Sequence, residues 1–170
     1  MAEPGTYQPP ERNSLERAAE SFVASRPGAW LWVNVVPHLD RALMRVSGGR
    51  LAVGGRKRVG LLKVRGAKTG QLRHTPLQYA RDGERLILIA SRGGDLKNPA
   101  WYLNLRANPD VTFAIGGDER PYRARTLEGD ERERAWGLAC DRYAGYIAYQ
   151  GRAGQRLIPV VALEPAENRP

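Results

Sequence analysis

From residue 58 onward the chain is a succession of short apolar segments separated by turns, most of them containing glycine, and this pattern restricts the fold more than any other feature. Six segments share it: 58–65, 72–80, 85–91, 110–116, 120–127 and 155–163. Short segments rich in Val, Leu and Ile and bounded by such turns predict antiparallel β-strands joined mostly by hairpins. We therefore expect six strands.

Helical spacing of apolar residues occurs in four other stretches: 13–25, 39–46, 99–107 and 130–149. Asn98-Pro99 predicts the start of the third helix, and the acidic residues of its first turn favour the start of the fourth. Helices inserted among antiparallel strands, without repeating βαβ units, predict an α+β protein whose sheet closes into a small barrel.

The length of 170 residues predicts one domain with a real core. Within it we expect a flexible tail at 1–12, N-terminal helices at 13–48 and the barrel at 49–170. No apolar run approaches the roughly 20 residues of a membrane span, and no secretory signal opens the chain, which predicts a cytoplasmic protein.

The composition excludes two classes of site and leaves a third open. A single cysteine, Cys140, and two histidines exclude an internal disulfide and leave too few ligands for a Cys/His metal site, so we expect no metal. Lys and Arg exceed Asp and Glu by 27 to 18, which favours an anionic partner or a merely solvated surface.

The turn between the first two predicted strands is the first candidate site. Gly66 and Gly70 allow a ligand to approach the backbone, while Lys68, Thr69 and Arg73 offer donors to a phosphate or carboxylate. An ordinary hairpin turn with solvated basic side chains explains the same residues equally well.

A second glycine-rich turn, Ser91-Arg92-Gly93-Gly94, lies three residues before the helix start at Asn98-Pro99. The free N–H groups of a helix start favour negative charge, so the two turns could hold opposite parts of one elongated anion. Trp101 and Leu105 at i and i+4 are also what simple core packing requires, and for Leu105 we expect core packing.

Three tyrosines, Tyr143, Tyr146 and Tyr149, recur every third residue near the end of the fourth predicted helix. Phenols can stack on flat rings and donate a proton, which suits a pocket for an aromatic or quinone-like substrate. The alternative is ordinary packing with solvated hydroxyls.

Residues 59–113 and 143–165 resemble the deazaflavin-dependent nitroreductase family, actinobacterial oxidoreductases that use coenzyme F(420). Four motifs occur in the family order: 66–77 with Lys-Thr-Gly and Arg73; 90–94, Ala-Ser-Arg-Gly-Gly; 98–109 around Trp101; and the tyrosine run followed by Ile158-Pro159-Val160. The resemblance implies a six-stranded antiparallel split β-barrel, FMN-binding split-barrel-like, with four helices.

The resemblance also implies a cofactor, a reaction and roles for individual residues. The deazaflavin coenzyme carries a phosphodiester and an oligoglutamate tail, and its reduced form gives a hydride to a quinone or another electron-poor acceptor, with nitroaromatics reduced incidentally. Tyr146 is then the proton donor, with Tyr143, Tyr149 and Gln78 at the acceptor. The cofactor-binding residues implied are Lys68, Thr69, Gly70, Gln71, Arg73, Thr75, Pro76, Ala90, Ser91, Arg92, Gly93, Gly94, Ala100, Trp101 and Asn104.

The chain departs from the family pattern at Ala67, Arg92 and Gln78, which affects the choice of acceptor more than the assignment of the cofactor.

Rival interpretations are an FMN-binding enzyme of the same fold, a noncatalytic carrier of the deazaflavin or a lipid, and a nucleic-acid module. The scarcity of aromatic residues among the basic strands disfavours the nucleic-acid module. Residues 13–36 could lie on a membrane surface or cover the barrel. The oligomeric state, monomer or homodimer, is left open.

Overall fold

The structure, a computed structural model, describes residues 59–166. Within this range, seven strands and three α-helices follow one another, with a short 3₁₀ turn at Arg92–Gly94. The strands are β1 Val59–Arg65, β2 Leu72–Gln78, β3 Ala80–Asp82, β4 Arg85–Ile89, β5 Asp110–Ile115, β6 Asp118–Thr126 and β7 Val160–Pro165. The helices are α1 Ala100–Ala107, α2 Gly129–Arg142 and α3 Gly145–Arg152.

All strand pairs are antiparallel, in the order β2-β1-β5-β6-β7-β4-β3. The two outermost strands of this order, β2 and β3, are consecutive in the chain and separated only by Tyr79. A sheet whose opposite edges are joined through one residue must curl until those edges approach each other. The result is a curled half-barrel in an α+β fold, which confirms the predicted class and agrees with a split barrel.

The sheet is covered on both faces, and the alternation of side chains along β4 and β7 assigns each residue to one face. Leu86, Leu88, Val161 and Leu163 lie in an inner core that includes α1. The intervening residues of the same strands lie in an outer core with α2 and α3. Two-sided burial explains why these strands read as continuous apolar runs.

The predicted count of six strands is wrong because segment 72–80 forms two strands. Leu72–Gln78 pairs with β1, whereas Ala80–Asp82 pairs with β4 at the other edge of the sheet. Tyr79 between them turns its ring edge-on to Phe113, 5.7 Å between centroids, in the inner core. The change of pairing strand at Tyr79 depends on the whole sheet, so the local sequence pattern does not indicate it.

The predicted single helix 130–149 is also wrong, because the helix breaks at Tyr143 and Ala144 into α2 and α3. Tyr143 has extended backbone angles, φ −150° and ψ 100°. Its ring folds over Gly145, where an added Cβ would lie 2.2 Å from the Cζ atom of Tyr143. Glycine at 145 therefore permits the break.

The other described elements lie close to their predicted positions. Helix α1 begins at Ala100, one residue later than predicted, with Pro99 as N-cap, and it ends before Asn108 as predicted. Gly116 and Gly117, with φ of 61° and 96°, form the turn of the β5–β6 hairpin. The last strand starts later than predicted, at Val160. The predicted tail at 1–12 and helices at 13–25 and 39–46 lie outside the described residues.

Candidate active site

The turn between β1 and β2 has a rigid backbone, and its basic side chains point into solvent. We call residues 66–71 the lysine turn. The amide of Gly70 donates to the carbonyl of Gly66 at 2.8 Å, and the amide of Gly66 donates to the carbonyl of Gln71 at 2.9 Å. Gly70 has φ +66°, a conformation that favours glycine. Thr69 Oγ1 accepts a longer bond, 3.4 Å, from the amide of Gln71.

Lys68 and Arg73 are both exposed. Neither forms a hydrogen bond or ion pair with another residue between 59 and 166. Nε of Arg73 lies beside Gly66, 3.7 Å from the position of an added Cβ. Two cations that no described acidic residue neutralises, beside a glycine-bounded turn, provide what an anion needs.

Helix α1 fastens the lysine turn to the sheet. Oδ1 of Asn104 accepts a hydrogen bond from the amide of Ala67 at 3.0 Å, and Nδ2 of Asn108 donates to the carbonyl of Arg65 at 3.2 Å. Asn104 lies in α1 and Asn108 is the residue that caps its C-terminus, so both bonds tie the start of the turn to the same end of the helix. Asn104, predicted to bind the cofactor, thus positions the turn that carries Lys68.

Residues 90–98, which we call the serine loop, connect β4 to α1. Arg92, Gly93 and Gly94 all have positive φ, at 49°, 65° and 85°. Such a conformation is unusual for arginine and marks local strain. Ser91 is buried, whereas the Arg92 side chain is exposed and its Nε lies 3.3 Å from a carboxylate oxygen of Asp95. The pKa of Asp95 is lowered by the hydrogen bond from the Lys97 amide and, to a smaller extent, by Arg92.

Two arginines that the sequence did not single out, one in α3 and one just after it, hold the serine loop through hydrogen bonds. Arg152 of α3 donates to the carbonyl of Gly93 at 3.2 Å and lies over the ring of Tyr149, 4.9 Å from its centroid. Arg156 donates to several acceptors of the serine loop. Arginines are dispersed along this chain, as solvated surface residues are, so the sequence does not separate Arg152 and Arg156 from the others. Only their tertiary contacts do.

The three tyrosines converge into one buried group, the tyrosine cluster. The hydroxyls of Tyr143 and Tyr149 are 3.0 Å apart, and the hydroxyl of Tyr146 donates to Oε1 of Gln78 at 3.4 Å. The Tyr143 and Tyr146 rings meet edge to face, 5.1 Å between centroids. The alternative of solvated hydroxyls is wrong, and so is the expectation that all three tyrosines share one helix, since Tyr143 precedes α3.

Burial changes the acidity of these phenols. Desolvation raises the pKa of Tyr146 above its usual value, with smaller contributions from Tyr149 and Cys140. Desolvation also raises the pKa of Tyr149, although the hydrogen bond with Tyr143 and the charge of Arg152 oppose this. Tyr146 therefore stays protonated well above neutral pH.

The structure thus brings together Gln78, the tyrosine cluster and the serine loop, and it ties the lysine turn to α1.

Trp101 and Leu105 are buried in the inner core, as simple packing predicts for Leu105. Thr75 and Pro76 lie on the edge strand β2, opposite Leu62 and Leu61 of β1. Ala90 is buried at the end of β4, and Ala100 is exposed at the start of α1. Contact of these residues with a cofactor stays a prediction.

Comparison with known proteins identifies the family. The family model of F(420)H(2)-dependent quinone reductases matches residues 38–165. The chain belongs to the F(420)H(2)-dependent quinone reductase family. The resemblance found in the motifs is thereby confirmed, and so is the assignment of coenzyme F(420) as the cofactor of this family, which makes the FMN alternative unnecessary.

Individual members agree with this assignment. The F(420)H(2)-dependent quinone reductase Rv1261c of Mycobacterium tuberculosis is 39% identical over 130 residues, 74% of this chain and 87% of that protein. The solved F(420)H(2)-dependent reductase FDR-A is 41% identical, with a TM-score of 0.60 over 64% of this chain and 95% of its own. A further solved relative, 36% identical with a TM-score of 0.62 over 81% of this chain and 99% of its own, is a domain-swapped dimer.

Two further findings concern metal ligands and membrane-spanning helices. Between residues 59 and 166, no group of three or more His, Cys, Asp and Glu side chains could hold a metal ion. No helix in this same range combines the length and the apolar character that crossing a bilayer requires.

Proposed function

We propose that this member of the F(420)H(2)-dependent quinone reductase family reduces a quinone, or another electron-poor acceptor of similar shape, at the tyrosine cluster. When bound, the reduced coenzyme supplies a hydride. One observation carries the assignment of the site: the helix that bears Tyr146 and Tyr149, two of the three buried tyrosines, packs against the glycine turn of the serine loop, where Gly94 meets the backbone of Tyr149.

The anionic part of the coenzyme fits the lysine turn. Lys68 and Arg73 project from a backbone held by Asn104, and neither is neutralised by another described residue. Exposed cations on a rigid support bind phosphate or carboxylate without losing much conformational freedom in the backbone. Gln71, Thr69 and Gly70 of the same turn and Arg92 of the serine loop complete the proposed anion contacts.

Tyr146 is the residue that we assign to the acceptor oxygen. A quinone that receives a hydride becomes a hydroquinone anion, and one proton completes the hydroquinone. The hydroxyl of Tyr146 is protonated at neutral pH, as an ordinary phenol is, and burial raises its pKa further. A phenol of raised pKa is a weak acid, so it acts first as a hydrogen-bond donor to the oxygen where charge develops and transfers its proton as that charge grows.

Tyr143, Tyr149 and Gln78 shape the acceptor side of the site. Gln78 accepts the single O–H hydrogen of Tyr146 in the free protein, and this hydrogen bond is exchanged for one to the acceptor oxygen when the acceptor binds. The hydroxyl contact between Tyr143 and Tyr149 orients the other two rings. Flat aromatic walls with few polar groups suit an aromatic or quinone ring.

Titration of the purified protein with coenzyme F(420), and separately with FMN, tests the cofactor, and turnover of the reduced coenzyme with a water-soluble quinone tests the reaction. We expect binding at micromolar coenzyme, weaker binding of FMN, and quinone-dependent oxidation. Coenzyme binding without turnover on any quinone or nitro acceptor would favour a noncatalytic carrier. Absence of coenzyme binding would contradict the proposal.

The location and partners of the chain form a separate part of the proposal. We infer a cytoplasmic protein whose residues 13–36 contact the inner face of the membrane, because tryptophan and arginine in that segment suit an acidic lipid interface. Liposome flotation with and without residues 1–36 tests this, and a full-length chain that does not float would refute it. Light scattering distinguishes a monomer from a homodimer, the state that the domain-swapped relative suggests.

A further inference from the structure

The guanidinium group of Arg156 holds the serine loop through four hydrogen bonds. Arg156 lies in the segment between α3 and β7, far along the chain from the loop that it contacts. Nε donates to the carbonyl of Asp95 at 2.9 Å, and Nη2 donates to the carbonyl of Ser91 at 2.8 Å. Nη1 donates to the carbonyl of Ala90 at 3.2 Å and to Oδ1 of Asn98 at 2.9 Å.

These bonds use most of the hydrogen-bond donors of the guanidinium group. A guanidinium has five N–H donors, and four of them are directed at acceptors of one loop. Arg156 therefore has little capacity left for a bound anion. In this it differs from Lys68 and Arg73, whose donors have no partner between residues 59 and 166.

The serine loop has few means of holding its own shape. Its internal backbone bonds are those from the amide of Gly94 to the carbonyl of Ser91 and from the amide of Asp95 to the carbonyl of Arg92. Three consecutive residues have positive φ, including Arg92, which has a side chain. Strained backbone of this kind persists only where surrounding contacts fix it. Arg152 holds the carbonyl of Gly93 within the strained run, and Arg156 holds the residues on both sides of that run.

The segment that carries Arg156 is itself fixed. Nε2 of Gln150 donates to the carbonyl of Arg156 at 2.9 Å, and Oε1 of Gln150 accepts from the amide of Ile158 at 2.9 Å. One glutamine side chain of α3 therefore spans the two backbone positions that flank Leu157. The arginine is presented to the loop from a rigid support.

We propose that Arg156 is a positioning residue that sets the binding conformation of the serine loop without itself contacting the coenzyme. The inference rests on the proposed function, because it takes the serine loop as part of the coenzyme site. A loop already ordered in the free protein loses less conformational freedom on binding, so the benefit of Arg156 is expressed as coenzyme affinity.

The test compares Arg156→Lys with the wild type. Lysine keeps the positive charge but has no planar fork, so it cannot reach four acceptors spread along the loop. We expect the Kd and the KM for the reduced coenzyme to rise roughly tenfold, with kcat at saturating coenzyme within about twofold of the wild type. Arg123→Lys is the matched control, since Arg123 is exposed and pairs with Asp110 on the β5–β6 hairpin, and its coenzyme affinity should not change.

Chemical rescue separates positioning from a general structural loss. In Arg156→Ala, millimolar guanidinium chloride should restore part of the coenzyme affinity, whereas sodium chloride of equal ionic strength should not. A folded Arg156→Lys variant with unchanged coenzyme Kd, or a loss confined to kcat, would overturn the inference.

If neither Arg156 variant folds, Asn98→Ala carries the test, because it removes one acceptor of Arg156 and leaves the arginine in place. A smaller rise in coenzyme Kd supports the inference, and an unchanged Kd overturns it. A wild type that does not bind the coenzyme removes the proposed function and this inference together. A wild type that binds, with variants that bind equally well, removes only this inference.

Discussion

Gly94 lies so close to Tyr149 that no side chain fits between them. A Cβ on Gly94 would be 2.6 Å from the carbonyl oxygen of Tyr149 and 2.9 Å from Cβ of Arg152. Gly94 also has φ +85°. This contact joins the serine loop to the helix that carries two members of the tyrosine cluster. A substitution at Gly94 should therefore affect both the serine loop and the tyrosine cluster.

We predict that Gly94→Ala destabilises the protein by about 2–4 kcal/mol, because it adds a backbone clash to the strain of a positive φ. Coenzyme affinity should fall as well. Gly83→Ala is the matched control: Gly83 has φ +63° in a hairpin turn, with nothing within 4 Å of an added Cβ. The control should lose about 1 kcal/mol, as measured by urea unfolding. Equal losses in the two variants would show that the contact with Tyr149 contributes nothing.

Removal of one phenol hydroxyl tests the catalytic assignment. Tyr146→Phe should lower kcat for quinone reduction about 100-fold while leaving coenzyme Kd nearly unchanged, because only the proton donor is lost. Tyr102→Phe is the control, since the hydroxyl of Tyr102 bonds Thr126 Oγ1 at 3.2 Å and its ring lies in the inner core. Its kcat should match the wild type. Unchanged turnover in Tyr146→Phe would remove Tyr146 as the donor.

Charge removal at the lysine turn tests the anion contacts. The double variant Lys68→Ala, Arg73→Ala should weaken coenzyme binding at least tenfold and flatten its dependence on salt concentration, because two exposed cations are lost. The double variant Arg120→Ala, Arg123→Ala removes the same net charge from the β5–β6 hairpin, where both arginines pair with aspartates. Equal weakening in both double variants would mean that only the overall charge matters.

An ion-pair network gives the fold a predicted sensitivity to acid. Glu131 at the start of α2 accepts from Arg125 at 2.8 and 3.0 Å and from Arg85 at 2.7 Å. These bonds lower its pKa from 4.5 to about 2. The ionised carboxylate therefore contributes stability that is fully present above about pH 4.5 and is lost as the pH falls toward about 2.

Glu131→Gln should be less stable than the wild type at pH 7 and should lose less stability between pH 4.5 and 2, because the titrating group is gone. Urea unfolding at several pH values measures both effects. A variant whose stability falls with acid as steeply as that of the wild type would contradict the assigned pKa shift.

Much of the fold follows from local sequence. The hairpin turn at Gly116 and Gly117 has the positive φ values that only glycine adopts without strain, and α1 ends at Asn108 as its sequence predicts. Turn chemistry and side-chain periodicity depend on neighbouring residues, so a sequence shows them directly. The candidate site was predictable as separate motifs for the same reason: each motif is a short stretch of sequence whose residue types are visible without the fold.

The sequence by itself determined the α+β class, most of the strands, the glycine turns and the residue types that the motifs carry. Only the tertiary structure decided that Tyr79 divides one segment between opposite edges of the sheet, and that Tyr143 folds over Gly145 to break a helix. The tertiary structure also decided which of the many arginines, Arg152 and Arg156, bind the serine loop. These features depend on contacts between residues distant in the chain, such as Arg156 with Ala90, and the curl of the sheet brings such residues together.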